Sequence, residues 1–174
     1  MKENTNIKIT GQITDKIIHL DTGEVEVREG HNIVVNTFTK LVMSLLGRTT
    51  GYKGITYWAV GSGLPAWDSV PVSPTLSEST LTAEVGRKII EPTNMTFLDA
   101  DGKTSETPTN ILRVNVTFDA SECNGIWREF GLFGGNATAE LNSGILVDKR
   151  HHEVITKTDN IAIERTIVFT LNLV

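Results

Sequence analysis

The stretch Gly125–Gly135 constrains the fold more than any other part of this sequence. It reads Gly-Ile-Trp-Arg-Glu-Phe-Gly-Leu-Phe-Gly-Gly, with glycines at both ends, where turns are expected. Successive side chains of a strand point to opposite faces, so strict alternation places Trp127 and Phe133 on one face and Phe130 on the other. Large apolar groups on both faces are typical of a central strand that is covered on both sides. The sequence therefore predicts that this stretch lies in the middle of a sheet packed on both faces.

Two charged residues, Arg128 and Glu129, interrupt this apolar stretch. Burying a charge is costly unless an opposite charge or hydrogen-bonding groups compensate it. We therefore expect each of the two side chains to have a fixed partner, either in this chain or on a neighbouring subunit.

The length and charge of the chain limit the kinds of protein it can be. With 174 residues it is long enough for one well-packed domain, so a single domain over 1–174 is expected. Its net charge is -5, with acidic and basic residues interspersed, which argues against a surface for nucleic acid or anionic membranes. No apolar run approaches the roughly 18 residues of a membrane span, so no membrane insertion and synthesis in the cytoplasm are expected. The single cysteine, Cys123, excludes a disulfide within the chain.

The pattern of apolar residues predicts a mainly β protein with one helix. An alternating segment with a turn at Asp21-Thr22-Gly23 predicts a β-hairpin region over about 5–35, ahead of a core over about 36–174. Apolar residues with helical spacing predict an α-helix over about 37–46, which is too short to be stable unless it packs on a sheet. Residues 161–173 alternate again and predict a final strand. Together these segments indicate an antiparallel β-sandwich with one packed α-helix.

A long loop follows the predicted strand that ends at Gly61, and it runs through several prolines to Ser79. Loops of this length are uncommon in compact domains unless they make contacts of their own. Trp67 is the residue in it that we most expect to serve as an anchor for a partner; alternatively, its ring covers the domain's own core.

No pattern in the sequence predicts an active site. We find no nucleophile elbow, phosphate-binding loop, dinucleotide fingerprint or zinc helix motif, so no enzymatic activity and no cofactor are expected. His151, His152 and Glu153 are side-chain types that bind zinc or iron. Neighbouring residues of a strand point to opposite faces, so a metal site there would need a turn and a further histidine, His19 or His31.

Three motifs occur in a recognisable order. Residues 55–63 read Ile-Thr-Tyr-Trp-Ala-Val-Gly-Ser-Gly, residues 81–87 read Leu-Thr-Ala-Glu-Val-Gly-Arg, and residues 126–133 read Ile-Trp-Arg-Glu-Phe-Gly-Leu-Phe. In this order the sequence resembles the N-terminal, baseplate-attaching domains of bacteriophage tail-fibre proteins, which look like I-x-x-[hydrophobic]-A-x-G-x-G, L-x-x-E-x-x-R and R-E-x-G-L-F. The segment at 32–36 and the helix after it also resemble the opening of tail-associated phage proteins. The resemblance covers roughly residues 30–173.

Carried over by position, the resemblance implies that four charged residues fix the fold or a joint between subunits. Glutamate and arginine within apolar segments need opposite charges. The pairings we expect are Arg87 with Glu129 and Arg128 with Glu84, either within one chain or between subunits. Two tryptophans, Trp127 beside the charged pair and Trp67 in the long loop, are the aromatic candidates for a structural or interface role.

The function implied by the resemblance is that of a structural protein in the virion tail, which joins fibres to the tail or baseplate through protein contacts. The implied partners are other tail or baseplate proteins, tail fibres and further copies of this chain, as a trimer or in multiples of three. Members of the family usually continue into a shaft and a receptor-binding tip, so a sequence that stops at Val174 favours an adaptor or collar role. The alternatives are a receptor- or carbohydrate-binding module that uses Tyr52, Tyr57 and Trp67, a neck or collar protein, and a metal-dependent enzyme that uses His151, His152 and Glu153.

Overall fold

The computed structural model describes residues 6–70 and 72–174. Residues 1–5 of the predicted domain, which include the start of the predicted hairpin region, and Pro71 in the long loop lie outside the described residues. The elements in chain order are β1 (Ile7–His19), β2 (Val25–His31), β3 (Ile33–Val34), α1 (Phe38–Leu46), β4 (Lys53–Gly61), β5 (Glu84–Ile89), β6 (Met95–Leu98), β7 (Thr104–Ser105), β8 (Ile111–Phe118), β9 (Gly125–Gly135), β10 (Ile145–Lys157) and β11 (Ile161–Leu173).

The strands form two antiparallel sheets. The first sheet has six strands in the order β2-β1-β11-β8-β6-β7, and the second has five in the order β3-β10-β9-β4-β5. With α1 packed against β10, β4 and β9, the architecture is a β-sandwich with one helix, which confirms the predicted fold class.

The predicted N-terminal hairpin is part of the first sheet. Its strands β1 and β2 pair antiparallel, and β1 also pairs along its whole length with β11, from Ile7 opposite Leu173 to His19 opposite Ile161. Alternate residues of both long strands face the second sheet, as the period-two pattern predicts.

The predicted position of the Gly125–Gly135 strand is confirmed, because β9 is the middle strand of the second sheet and is buried from Trp127 onward. The predicted strict alternation is wrong, however. Trp127 and Phe130 both lie in the core between the sheets. The register between β9 and β10 shifts between His151, opposite Glu129, and Ile155, opposite Trp127. The break in the ladder falls between Trp127 and Glu129, so regular alternation does not continue from Trp127 to Phe130.

Both faces of the second sheet carry a hydrophobic core. The larger core lies between the sheets and contains Trp58, Phe130 and Ile167, among others. A smaller core lies on the other face of the second sheet and contains Leu81 and Phe133. The long segment between β4 and β5, residues 62–70 and 72–83, contributes Leu81 to this second core. We call this segment the strap.

The helix α1 confirms the prediction for about 37–46, but only part of its apolar stripe is covered. Leu41 is buried, whereas Leu46 is 73% exposed. The side chain of Thr37, just before the helix, makes no capping bond to it. Instead the Thr37 hydroxyl donates a 2.6 Å hydrogen bond to the carbonyl oxygen of Leu146 in β10, which fastens the helix to the second sheet.

Replacing Thr37 with valine is expected to lower the free energy of unfolding by about 1 kcal/mol, because one half-buried hydrogen bond is lost. Urea denaturation measures the change. Thr39→Val is the matched control, since among the described residues the Thr39 hydroxyl bonds only to the exposed carbonyl of Asn36. Equal effects of the two substitutions would contradict this role of Thr37.

Candidate functional site

The charged residues of the third motif hold the strap against the second sheet. Glu129 is fully buried in β9. Its carboxylate accepts hydrogen bonds from the backbone N–H groups of Thr82 at 3.0 Å and Ala83 at 2.8 Å, and pairs with Lys149 Nζ at 3.0 Å. Two backbone donors and one cation thus compensate the buried charge. Glu129 therefore fixes the C-terminal part of the strap beside β4.

Lys149 of β10 joins the same cluster from the other side. Its ammonium group pairs with Glu78 at 2.5 Å and donates to the Thr80 carbonyl at 3.3 Å and the Thr82 hydroxyl at 3.2 Å. Although burial opposes ionisation of Glu78, its contacts with Lys149 hold the pKa of that carboxyl below its usual range. All these oxygen atoms belong to the strap, so Lys149 and Glu129 form one clamp on it.

The strap approaches the sheet closely because position 61 is glycine. A Cβ atom at Gly61 would lie 2.6 Å from Glu129 Oε1 and 2.8 Å from the carbonyl oxygen of Ala83. The glycine of the first motif therefore leaves the space in which the glutamate of the third motif binds the strap.

Arg128 fixes the beginning of the strap. Its guanidinium group forms two bonds with Asp68, Nε to Oδ1 at 2.8 Å and Nη2 to Oδ2 at 2.7 Å. A third bond, 3.1 Å long, goes to the Ser62 carbonyl. The hydrogen bonds from Arg128 hold the pKa of Asp68 below its usual range. The expectation that Arg128 and Glu129 each have a fixed partner is therefore met within this chain.

The specific pairings that we predicted are wrong. Arg87 does not pair with Glu129, nor Arg128 with Glu84. Arg87 instead binds Glu84 through bonds of 2.6 Å and 2.8 Å, and both residues belong to β5. The reason is the strand order: β4 lies between β5 and β9, and it separates the charges of the second motif from those of the third.

The Arg87–Glu84 pair fixes a different loop. Arg87 donates to the carbonyl of Thr138 at 2.8 Å, and Glu84 accepts a 2.6 Å bond from the N–H of Asn142. The guanidinium group lies over the ring of Phe133, 4.7 Å from its centroid. The second motif therefore anchors the loop between β9 and β10.

The two candidate tryptophans have different surroundings. Trp67 in the strap stacks on His151 of β10, with ring centroids 3.7 Å apart, and it is half-buried. Trp127 is fully buried, packs edge-on against Phe118 at 5.1 Å, and donates a 2.8 Å bond to the Cys123 carbonyl. Trp127 thus belongs to the core, and only Trp67 lies near the surface.

The aromatic residues of the carbohydrate-binding alternative lie in two separate places. Trp67 stacks beside His151, opposite the Glu129 end of β9. Tyr57 pairs with Phe133 further along that strand, and Tyr52 lies against Gly135 at its end.

The histidines of the metal alternative point to different sides of β10. His151 stacks on Trp67, whereas His152 lies against Phe130 of the core, 6.0 Å between centroids. In the part of the chain that the structure describes, no three His, Cys, Asp or Glu side chains are grouped so that they could hold a metal ion.

A buried charge cluster between the sheets was not predicted. Arg165 of β11 forms two 2.8 Å bonds with Asp15 of β1, and its Nη2 lies 3.2 Å from His152 Nε2. Burial and the charge of Arg165 lower the pKa of His152 to about 3, so this ring is neutral and accepts the bond. The sequence signal for this cluster was an arginine on the inward face of an apolar strand.

Asp148 of β10 is a second buried group that the sequence analysis missed. Its side chain is fully buried, and no cation pairs with it among residues 6–70 and 72–174. Oδ1 accepts a 2.9 Å bond from the Leu132 N–H, and Oδ2 contacts Nδ2 of Asn32. Burial raises the pKa of Asp148 to about 7. This carboxyl therefore titrates near neutral pH.

No helix among the described residues has the length and apolar character needed to cross a membrane. Comparisons of the chain with models of protein families, with curated proteins and with solved structures find no match.

Proposed function

We propose that this chain is a non-enzymatic structural protein of a bacteriophage tail or tail-like particle, in which it attaches fibres to the tail or baseplate. The observation that carries the proposal is the placement of the three motifs. The first lies mostly in β4, the second ends in β5 and the third lies in β9, and these strands are neighbours in the second sheet. Segments far apart in sequence thus form one structural unit, as expected if they are parts of one domain signature.

The use of the motif charges also supports a structural role. Arg128 and Glu129 bind the two ends of the strap, and Arg87 with Glu84 binds the loop after β9. Each charge is compensated by a partner within the chain. These contacts hold surface segments in fixed positions, which is what a rigid attachment surface requires.

Exposed apolar residues supply surface for assembly. At one end of the first sheet, Ile7 and Leu173 face each other across β1 and β11 and are 65% and 69% exposed. By strand alternation they continue the core-facing side, and the next pair, Ile9 and Leu171, lines a cavity of about 310 Å³. Contiguous apolar surface of this kind marks protein contacts. We propose that it joins copies of this chain in a trimer or in multiples of three.

The location is tested by immunogold electron microscopy of particles from the producing strain, with an antibody against this chain. Label at the distal end of the tail is the expected result, and label at the neck would replace the baseplate assignment with a collar. If intact particles carry no label, an immunoblot of disrupted particles decides: absence of the chain there would overturn the proposal.

The assembly state is tested by sedimentation of the purified chain. We expect a mass three times the 19.1 kDa of one chain, or a multiple of that trimer. Leu173→Asp is expected to yield monomers by placing a charge in the apolar contact. Met43→Asp, at a similarly exposed position on α1, serves as the control and is expected to leave the mass unchanged. A wild-type chain that is monomeric at every concentration would contradict the oligomer proposal.

A further inference from the structure

A groove of about 730 Å³ lies between β2 of the first sheet, β10 of the second, and the strap. Arg28 and His31 line it from β2, Arg150 from β10, and Trp67 from the strap. Both sheets present an edge here. Among the described strands, β2 pairs only with β1, and β3 covers β10 only at Asp148 and Lys149. Unpaired backbone groups at such edges are able to accept an additional strand.

Two arginines link the two edges. Nη1 of Arg28 lies 3.4 Å from the carbonyl oxygen of Glu153 and 3.3 Å from that of Val154, both in β10. In the opposite direction, Nη2 of Arg150 donates a 3.2 Å bond to the Glu29 carbonyl of β2. Arg28 is itself paired with Glu26, Nε to Oε1 at 2.5 Å, so its charge is compensated within the chain. Two acidic residues also line the groove, Asp68, which Arg128 binds, and Glu153.

Arg150 differs from the other arginines that pack between the strands. Arg87, Arg128 and Arg165 each bind a carboxylate through two bonds. Arg150 is half-buried, yet within residues 6–70 and 72–174 it forms no ion pair and only the one bond to Glu29. Asp15 is close enough to affect its ionisation, but that carboxylate is already bound to Arg165. Most of the N–H groups of Arg150 thus remain available for an anion.

We propose that this groove binds an extended, acidic segment of a partner protein. One of its carboxylates binds Arg150, and its backbone follows an open strand edge. The inference rests on the proposed function, and it specifies the chemistry of a tail or baseplate partner. The charge of Arg150, which no carboxylate binds among residues 6–70 and 72–174, favours an acidic segment. The groove runs between two strand edges, so a peptide is favoured over a single small anion. A peptide backbone is able to bond to the unpaired backbone groups of these edges, and a small anion is not.

The test is titration of the isotope-labelled chain with the peptide acetyl-Thr-Glu-Val-Glu-Val-Glu-Thr-amide, followed by nuclear magnetic resonance. We expect amide shifts that are confined to β2, β10 and the strap, and weaker binding as salt is added. The same peptide with glutamine in place of glutamate is expected to bind at least about tenfold more weakly. Because this comparison uses the wild-type chain, it does not depend on the folding of any variant.

Arg150→Gln is expected to weaken binding of the acidic peptide by about tenfold or more. Arg113→Gln is the matched control. Arg113 is also a half-buried arginine, but it lies on the outer face of the first sheet, opposite Thr96 and Val168. Equal losses in the two variants would overturn the proposal. So would equal shifts with inorganic phosphate at matched charge, which would indicate a small-anion site, or shifts that depend only on protein concentration, which would indicate a second copy.

This experiment and the antibody labelling fail in distinguishable ways. If the peptide does not bind but tail ends carry label, the groove assignment is wrong and the structural function stands. If the peptide binds but the chain is absent from disrupted particles, the groove binds acidic segments and the tail function is wrong.

Discussion

Replacing Glu129 with glutamine is expected to lower the free energy of unfolding by about 3–5 kcal/mol, the range found when one partner of a buried ion pair is removed. The substitution leaves Lys149, which is buried, with only the partly exposed Glu78 as a counter-charge. It also replaces one acceptor oxygen with an amide that must face the N–H donors of Thr82 and Ala83 or the Lys149 ammonium. Urea denaturation at neutral pH measures the loss.

Glu140→Gln is the control for this experiment, because Glu140 is exposed and its side chain makes no ion pair with the described residues. We expect it to change the stability by less than about 0.5 kcal/mol. If Glu129→Gln costs no more than this control, the clamp on the strap does not contribute to stability as the geometry indicates.

The second large effect is expected at Asp148, and it depends on pH. Burial raises the pKa of this carboxyl from 3.8 to about 7 in the folded chain. The folded state therefore binds the proton more tightly than the unfolded state, and stability falls as pH rises from about 4 through 7. The loss of stability occurs between pH 5 and the folded pKa, which is about two pH units. At about 1.4 kcal/mol per unit, the free energy of unfolding at pH 8.5 is about 3 kcal/mol lower than at pH 5.

Asp148→Asn is expected to remove this pH dependence. The difference in unfolding free energy, variant minus wild type, should therefore rise by about 3 kcal/mol from pH 5 to pH 8.5. An asparagine keeps an acceptor for the Leu132 N–H, and its amide is able to donate to Asn32 Oδ1, which has no partner among the described residues. The measurement is urea denaturation of both proteins at the two pH values. Parallel stability curves would contradict a neutral Asp148 in the folded chain.

Much of the fold could be predicted because the apolar residues recur with one period in the strands and with another in the helix. The paired strands β1 and β11 alternate along their whole length, and α1 has helical spacing over Phe38–Leu46. The position of β9 at the centre of its sheet followed from apolar groups on both faces. The shift in register against β10 could not be predicted, because it depends on where a second strand, distant in sequence, pairs with the first.

The sequence predicted that the motif charges have partners, but not which residues these partners are. A charge in an apolar segment predicts that a partner exists, and Arg128 and Glu129 both have one. Which residue it is depends on strand order, and here Asp68 and Lys149 are brought in from the strap and from β10. The pairing of Glu84 with Arg87 lies within one motif and one strand, whereas the predicted partners lay in different motifs.

The buried groups outside the motifs were missed for another reason. Asp15 and Asp148 lie in segments where neighbouring polar residues make an acidic side chain look ordinary. Only the tertiary structure places Asp15 beside Arg165, and Asp148 in an interior where none of the described residues supplies a cation to it. An inward-facing charge in an alternating strand, such as Arg165, is the one signal that could have prompted a search for such a partner.

The most direct measurement is amide hydrogen exchange of the strap in the wild-type chain and in Glu129→Gln. The N–H groups of Thr82 and Ala83 are bound by the Glu129 carboxylate, so slow exchange is expected at both in the wild-type chain. In the variant we expect fast exchange there, while amides in the centre of β11 remain protected. Unchanged protection of Thr82 and Ala83 in a folded variant would contradict the role of the third motif as the clamp that holds the strap on the sheet.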